Sequence, residues 1–205
     1  MHKAYLFDID GVLLHHTKWF YEEFSKGYSA SAINVLKKYC EGKDIVRCDR
    51  GEADTYEVIE PYLREIGYSG SIDAFYDMKN SFESNGIDWI ALKKIKQIRE
   101  LGAQCFIGSN QDHRRKEHLL KSMGLKEIVN EAYFSCDFGY VKPEREYWEN
   151  VHKRIARKIE GIQAKEIVFF DDREENIESA REYGFISIAI ENRDKIHKEL
   201  DKILS

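Results

Sequence analysis

The chain of 205 residues carries 32 basic and 37 acidic side chains, which gives a formal net charge of −5. Its length suits one large domain or a domain with an insertion, and its 42% hydrophobic content indicates a globular protein. The negative charge disfavours nucleic acid polymers as partners, and the four scattered cysteines disfavour a disulfide framework or a zinc site. No apolar run approaches the ~20 residues that span a membrane, so we expect a cytoplasmic protein without membrane contact.

The predicted elements fall into three parts along the chain. The run KAYLFDI predicts a buried strand at the N-terminus, and residues 15–86 are aromatic, charged and helical in pattern. From residue 87 onward, apolar runs alternate with amphipathic ones, which predicts a parallel sheet with helices on both faces. The later elements are helices over 87–102, 112–124, 142–161 and 173–184, and strands over 103–110, 131–139, 166–172 and 185–190.

This alternation predicts an α/β core with a parallel sheet, made of residues 1–14 and 87–205, and a helical insert at 15–86. In the helix over 142–161, Pro143 is expected near the first turn, where a missing N–H group costs little.

Polar side chains occupy the positions where the predicted strands stop. Asp8, Ser109 and Asp171 each end an apolar run, and Lys142 follows another. Because ligands of open α/β sheets bind outside the carboxyl ends of the strands, these side chains are expected to converge. Asp8 and Asp10 also share one side of the first strand, where two close carboxylates repel unless a cation or hydrogen bonds intervene.

Such a set suits phosphoryl transfer. An aspartate can act as a nucleophile, and a second acid can protonate a leaving group and later activate water. Clustered carboxylates bind Mg²⁺, while a lysine and a hydroxyl hold phosphoryl oxygens.

Four short motifs in chain order resemble those of the haloacid dehalogenase-like (HAD) hydrolase superfamily. FDIDGV at 7–12 is similar to the first motif, IGSN at 107–110 to the second, VKPE at 141–144 to the third and FFDDREEN at 169–176 to the fourth. The helical insert between motifs one and two resembles the cap of subfamily I. The resemblance therefore implies a Rossmann-like α/β core at 1–14 and 87–205 with a small α-helical cap at 15–86. Within it, RGEAD at 50–54 is similar to a loop often seen in that cap.

The resemblance implies a role for each matching position. Asp8 would be the nucleophile, Asp10 the general acid/base, and Lys142 the residue that holds Asp8 and the phosphate. The implied contacts to phosphate or substrate are Ser109, Asn110, Gly11 and Arg50, and the implied Mg²⁺ ligands are Asp8, Asp10, Asp172 and Asp171, where the direct ligand of the last pair stays open.

Several positions have a second interpretation from the residues alone. Arg50 could reach a substrate anion, although a surface arginine is its default interpretation. Asn176 either supports the fourth-motif loop or is a first-turn polar residue. His15, His16 and Trp19 either contact substrate or pack structurally. The basic cluster of His113, Arg114 and Arg115 could attract anions, and its default interpretation is a solvated helix face.

We therefore expect a Mg²⁺-dependent phosphatase, a phosphoric monoester hydrolase that acts on a small phosphorylated metabolite such as a sugar phosphate or a nucleotide. Asp10 favours phosphoester chemistry, because the dehalogenases of the family lack an acid at that position. The alternatives are a phosphoglucomutase-like phosphotransferase and a non-enzymatic phosphate-binding or signalling domain of the receiver type. The chain is expected to act as a monomer or a homodimer.

Overall fold

The computed structural model of the protein describes residues 4–16 and 18–205. Within these ranges, five parallel strands form one sheet in the order β3-β2-β1-β4-β5. They are β1 (Ala4–Phe7), β2 (Gln104–Ser109), β3 (Glu131–Phe134), β4 (Ile167–Asp171) and β5 (Ile186–Ala189). The predicted Rossmann-like α/β fold is confirmed.

The register of the central strands sets the position of the residues that follow them. Phe7 at the end of β1 lies opposite Ile107 of β2 and Phe170 of β4. The amide of Asp8 then donates to the carbonyl of Phe170 at 2.9 Å. The carboxyl ends of three adjacent strands therefore stop at nearly one level, as parallel pairing requires.

Helices cover both faces of the sheet because its central strands are apolar on both sides. On one face, α6 (Trp89–Glu100), α8 (Leu125–Ile128) and α11 (Arg193–Leu204) contribute to one hydrophobic core. On the other, α9 (Arg145–Ala156) and α10 (Glu174–Tyr183) contribute to a second core, which is centred on Trp148. A short helix, α7 (His113–Glu117), follows β2 at the edge where the strands end.

A helical insert lies between β1 and β2. It consists of α1 (Phe20–Ser25), α2 (Ala32–Cys40), α3 (Lys43–Asp49), α4 (Thr55–Glu65) and α5 (Ile72–Ser84). The insert has its own hydrophobic cluster, in which aromatic rings meet edge to face, as Phe24 and Phe75 do at 5.0 Å. This cluster is separate from the two hydrophobic cores of the sheet, and we call the insert the cap.

The two chain segments that join the cap to the sheet run side by side. The amide of His15 donates to Gly86, and the amide of Asp88 donates to Leu13, at 2.8 and 2.9 Å. Asp88 also accepts from the amide of Ala91 at the start of α6, which satisfies one of the free N–H groups of that helix. The cap is thus attached through two paired segments rather than through one flexible tether.

Two predicted helices differ from the observed ones. The predicted helix over 112–124 is α-helical only in α7 and continues as a π-helical turn over His118–Ser122. The predicted helix over 142–161 begins later and ends earlier, as α9. Pro143 lies just before the first turn of α9, and the Glu144 carboxylate accepts from the amide of Val141 and closes a turn ahead of the helix.

Helix α11 was not among the predicted elements. Among the described residues, no helix is both long enough and apolar enough to cross a membrane.

Candidate active site

The carboxyl ends of the strands place two aspartates and a lysine in contact. Asp8 directly follows β1, Asp171 is the last residue of β4, and Lys142 comes from the loop after β3. The Lys142 ammonium lies 2.9 Å from Oδ1 of Asp8 and 2.6 Å from Oδ2 of Asp171. The three residues are buried, with exposed fractions of 6%, 0% and 5% for Asp8, Asp171 and Lys142. The convergence expected for these residues is observed.

The charges of this triad do not cancel. Burial works against the charged form of Lys142, but the carboxylates of Asp171 and Asp8 outweigh it and raise its pKa. Two carboxylates facing one ammonium leave an excess negative charge in a region of low dielectric. A cation or a proton would neutralise that excess.

The excess negative charge mainly affects the pKa of Asp8. Burial raises its pKa to about 7, and Asp171 and Asp10 add to the effect, while Lys142 and a hydrogen bond with Ser109 oppose it. Oδ1 of Asp8 is fully buried and, despite its distance to Lys142, makes no hydrogen bond of good geometry. A buried carboxylate oxygen in this state is suited to contact with a positive ion.

The fourth-motif loop separates the roles of its two aspartates. Asp171 accepts from the amide of Arg173 at 2.8 Å and from Nδ2 of Asn176 at 3.0 and 3.1 Å, besides the ion pair with Lys142. Asp172 is exposed as a residue. Partial desolvation of its carboxyl by neighbouring atoms, together with repulsion from Asp171, nevertheless raises its pKa. One oxygen each of Asp8, Asp171 and Asp172 lie within 4.8 Å of one another, as in a metal site.

Gly11 leaves space for the carboxylate of Asp172, because it has no side chain. Its φ is +78°, and a Cβ atom at this position would collide with the carboxylate of Asp172. The Gly11 amide donates to the carbonyl of Leu14 at 2.8 Å. The implied phosphate contact therefore cannot use this amide, and the observed role of Gly11 is to admit Asp172 and close the turn after β1.

Asn110 connects the second and third motifs. Its side-chain Nδ2 donates to the carbonyl of Lys142 at 3.1 Å, and its Oδ1 accepts from the amide of Lys142 at 2.8 Å. This reciprocal pair fixes the loop that carries the buried ammonium. The side chain of Asn110 thus positions Lys142, which leaves only its main chain for a phosphate contact.

Asp10 lies beside the triad and is held by two residues that the sequence did not indicate. Gln111 donates from Nε2 to Asp10 at 2.9 Å and to the hydroxyl of Ser109 at 3.0 Å. Arg115 donates from both terminal nitrogens to the two Asp10 oxygens, each at 2.7 Å. Although burial opposes ionisation, Arg115 and the other donors hold the pKa of Asp10 well below its usual range.

The interpretation of the basic cluster as a solvated helix face was wrong for Arg115. The side chain of Arg115 is 14% exposed and points into the site, whereas its neighbour Arg114 is exposed and pairs with Asp54 of the cap at 2.8 Å. Successive residues of a helix point about 100° apart, so identical neighbours can have opposite surroundings. The pattern of charges gives no signal that tells the two arginines apart.

Of the remaining residues predicted to contact substrate, some face the active site and others contact only the surrounding protein. His16 faces Asp10, with Nε2 3.8 Å from Oδ1, and its ring lies against the exposed Trp19. His15 instead faces Asp88, 3.7 Å away, at the junction of cap and sheet. Arg50 donates to the carbonyl of Gly139 at 3.1 Å and pairs with Glu144, so its guanidinium bridges the cap to the loop after β3.

A second group of possible metal ligands lies next to this bridge. It consists of His113, Cys136 and Asp137, whose ligand atoms lie within 4.8 Å of one another. Lys116 pairs with Asp137 and already supplies a positive charge there. Burial, with help from Asp137, raises the pKa of Cys136 to about 12, which keeps the thiol neutral.

Asp49 at the end of α3 gives this region a dependence on pH. Burial and the nearby Asp112 raise its pKa to about 7, although Arg115 opposes them. A carboxyl whose pKa is raised in the folded state binds its proton more tightly there. The stability that this proton confers is present at low pH and is lost as the pH rises through about 7.

We expect Asp49→Asn to raise Tm by roughly 2–8 °C at pH 8, which corresponds to about 1–2 kcal/mol, and to have little effect at pH 4. Thermal melts at both pH values measure this difference. Asp201→Asn is a matched control, because Asp201 is exposed and pairs with Lys94 at the surface. An equal shift at pH 4 and pH 8 would contradict the assignment.

Comparison with protein families gives one match over most of the chain. Residues 2–184 match the model of a hydrolase family described as haloacid dehalogenase-like hydrolase. Among curated proteins, the chain is 25% identical over 197 residues to the drimenol cyclase drtB of Aspergillus calidoustus. That alignment covers 94% of this chain and 31% of the cyclase, so the chain spans about a third of that relative's length.

Solved structures show the same fold at low identity. A predicted HAD-like family hydrolase from Porphyromonas gingivalis is 21% identical with a TM-score of 0.78, covering 100% of this chain and 98% of its own. A HAD-family enzyme from Bacteroides thetaiotaomicron in complex with magnesium and inorganic phosphate is 21% identical with a TM-score of 0.72, covering 92% and 94%. The L-2-haloacid dehalogenase of Xanthobacter autotrophicus is 18% identical with a TM-score of 0.63, covering 92% and 77%.

Proposed function

Because the chain belongs to the haloacid dehalogenase-like hydrolase family, we propose that it is a Mg²⁺-dependent phosphatase. In this proposal it hydrolyses a small phosphorylated metabolite, a sugar phosphate or a nucleotide, through a phosphorylated Asp8. The observation that carries the proposal is the buried contact of Asp8 with Lys142, with Asp10 beside it. A nucleophile, a cation for phosphoryl oxygens and a second carboxyl are the groups that this chemistry needs.

The donor set suits a hard cation. The buried Oδ1 of Asp8 lacks a hydrogen bond, and the carboxylate of Asp172 lies close to it. Asp171 is already engaged by Lys142, Asn176 and a main-chain amide. We therefore assign Asp8 and Asp172 as direct ligands, together with the main-chain carbonyl of Asp10 that the family implies, and Asp171 as the residue that orients Lys142. When bound, Mg²⁺ would neutralise charge on the phosphoryl oxygens and on Asp8.

In the first step, a carboxylate oxygen of Asp8 attacks phosphorus and the bond from phosphorus to the leaving oxygen breaks. Lys142 and Ser109 hold the phosphoryl oxygens, and the main-chain amide of Asn110 donates to them. Asp10 gives its proton to the leaving oxygen. Arg115 favours the ionised carboxyl, so Asp10 takes up this proton from solvent when the negatively charged phosphoryl group of the substrate enters.

In the second step, water attacks the phosphorus of the phosphorylated Asp8. Asp10, now ionised, removes a proton from that water, and the bond from phosphorus to the Asp8 oxygen breaks. Phosphate leaves, and the Asp8 carboxylate returns to its contact with Lys142. The ionised state in which the structure holds Asp10 is the one that this step requires.

The acid at position 10 supports phosphoester cleavage over halide displacement. Halide is a stable anion and leaves without a proton, whereas an alkoxide leaving group requires one. The cap supports a small substrate, because α5 covers the site from above through Glu83 and Arg115. His16 lies beside Asp10 and Trp19 packs against His16, so a leaving group near Asp10 would meet His16 first.

The test is phosphate release from p-nitrophenyl phosphate and from a panel of sugar phosphates and nucleotides, with Mg²⁺ or with EDTA. We expect turnover that depends on Mg²⁺ and falls at least about a hundredfold in EDTA, because the ion supplies charge that no side chain replaces. Readdition of Mg²⁺ should restore the rate. The best substrate of the panel identifies the leaving group that the cap accepts.

The same assay separates the alternatives. Conversion of a sugar phosphate to an isomer without release of phosphate would assign a phosphotransferase. Absence of turnover on every substrate with Mg²⁺ present, in a protein that is folded by circular dichroism, would contradict a broad phosphatase.

A further inference from the structure

Arg115 makes an unusually complete set of contacts for a side chain outside the four motifs. Its two terminal nitrogens donate to both oxygens of Asp10, and Nη1 also donates to Oε1 of Gln111 at 2.8 Å. Its Nε donates to Glu83 of the cap helix α5 at 3.0 Å. The guanidinium therefore joins a catalytic carboxyl of the sheet edge to a carboxyl of the cap.

The contact with Asp10 fixes the direction of that carboxyl. A guanidinium presents its donors in a rigid planar fork, so a bidentate pair constrains both the distance and the rotation of the carboxylate. Gln111 donates to the same Asp10 oxygen as Nη1 of Arg115 and adds a third point of attachment. A single lysine could supply charge at this place but not the planar constraint.

The contact with Glu83 extends the arrangement into the cap. The side chain of Glu83 is 12% exposed, and its second oxygen pairs with Lys79 one turn earlier on α5, at 2.7 Å. The chain of charges thus alternates in sign from Lys79 through Glu83 and Arg115 to Asp10. Displacement of α5 would leave Arg115 without its cap partner and free it to move with Asp10.

We propose that Arg115 is the positioning residue that holds the Asp10 carboxylate for hydrolysis of the phosphorylated Asp8, and that Glu83 makes this position depend on a closed cap. The proposal rests on the phosphatase function. It places Arg115 in the second step, because that step needs the Asp10 carboxylate in a fixed direction toward the attacking water, and the bidentate contact fixes that direction. It assigns to Glu83 the link between cap closure and that step.

The test compares Arg115→Met with Arg114→Met, using p-nitrophenyl phosphate and Mg²⁺. This substrate leaves without a proton, so the first step is insensitive to Asp10. For Arg115→Met we expect kcat to fall at least about tenfold, KM to fall with it, and kcat/KM to stay within about threefold. The acid-quenched fraction of protein phosphorylated on Asp8 should rise accordingly.

The control and two further variants make the comparison specific. Arg114→Met removes the ion pair with Asp54, an adjacent contact of cap and sheet edge, and should change neither kcat nor the phosphorylated fraction. Arg115→Lys should be intermediate, because it keeps the charge and loses the fork. Glu83→Gln should lower kcat in the same manner but by a smaller factor, and it also serves if Arg115→Met does not fold.

Parallel loss of kcat and kcat/KM in Arg115→Met, without accumulation of phosphorylated Asp8, would overturn the proposal and assign a structural role. Equal effects of Arg114→Met would overturn it as well. If the wild-type protein shows no turnover, the proposed phosphatase function fails, but the link from Asp10 through Arg115 to Glu83 of the cap can still be tested. Amide hydrogen exchange then measures that link. Amides near the end of α5 should then exchange faster in both Asp10→Asn and Arg115→Met, and unchanged exchange in both would contradict the link to the cap.

Discussion

Asp8→Asn is expected to lower the rate of phosphate release at least about a thousandfold, because the amide cannot form the phosphorylated intermediate. The measurement is steady-state turnover of p-nitrophenyl phosphate with saturating Mg²⁺. The substitution changes one buried oxygen to nitrogen and keeps the shape of the side chain. The effect therefore isolates the nucleophile from its surroundings.

The stability of Asp8→Asn provides the control. The folded pKa of Asp8 is raised to about 7, so in the wild type the stabilising contribution of the proton is lost as the pH rises through that value. The variant, which needs no proton, should be at least as stable as the wild type at pH 8. An inactive variant that melts well below the wild type at pH 8 would make the loss of activity uninformative, and a variant with wild-type turnover would exclude Asp8 as the nucleophile.

Lys142→Met is expected to reduce both activity and stability. Without the ammonium, the buried carboxylates of Asp8 and Asp171 face each other with no cation from the protein. Removal of one partner from a buried ion pair typically costs about 3–5 kcal/mol of unfolding free energy. Turnover should fall about a hundredfold or more, because a charge that faces the phosphoryl oxygens is lost.

Urea unfolding at pH 8 and pH 5 measures the loss of stability. The loss should be smaller at pH 5, where protonation of Asp8 relieves the repulsion, and Mg²⁺ should restore part of it at pH 8. Lys116→Met is the matched control, since Lys116 pairs with Asp137 in a more exposed place. Equal losses of unfolding free energy in the two variants would contradict the inference that Lys142 stabilises the protein by neutralising the buried carboxylates of Asp8 and Asp171.

The positions of Asp8, Ser109, Lys142 and Asp171 follow from the sequence because they depend on strand ends alone. Each follows an apolar run, and parallel strands that pair in register bring those ends to one edge. The prediction needed only the order of elements, which apolar patterning determines. The resemblance to a family then supplied roles that patterning cannot supply.

The contact between Arg115 and Glu83 could not be predicted from apolar patterning. Arg115 of α7 and Glu83 of α5 are 32 positions apart in the chain. Asp10, the other partner of Arg115, is 105 positions away from it. Nothing in the local sequence distinguishes Arg115 from Arg114, since both follow the N-cap Asp112 in one polar helix. Their difference arises from the way the cap packs against the edge of the sheet, which is a tertiary property.

Gly11 and Asn110 illustrate a second limit. Their implied role was contact with phosphate, yet the observed hydrogen bonds of Gly11 and of the Asn110 side chain serve the protein itself. A motif specifies which residue type is required at a position but not whether the ligand or the scaffold requires it. Backbone geometry and hydrogen-bond partners make that distinction.

The most direct test of the account is detection of a phosphoryl group on Asp8. Asp10→Asn retains the nucleophile and Lys142 but lacks the base of the second step, so it should accumulate the intermediate during turnover of p-nitrophenyl phosphate. Acid quenching followed by peptide mass spectrometry should find one phosphoryl group on the peptide that contains Asp8, with Mg²⁺ present and not with EDTA. Turnover by Asp10→Asn at the wild-type rate, with no phosphoryl group on that peptide, would contradict catalysis through Asp8.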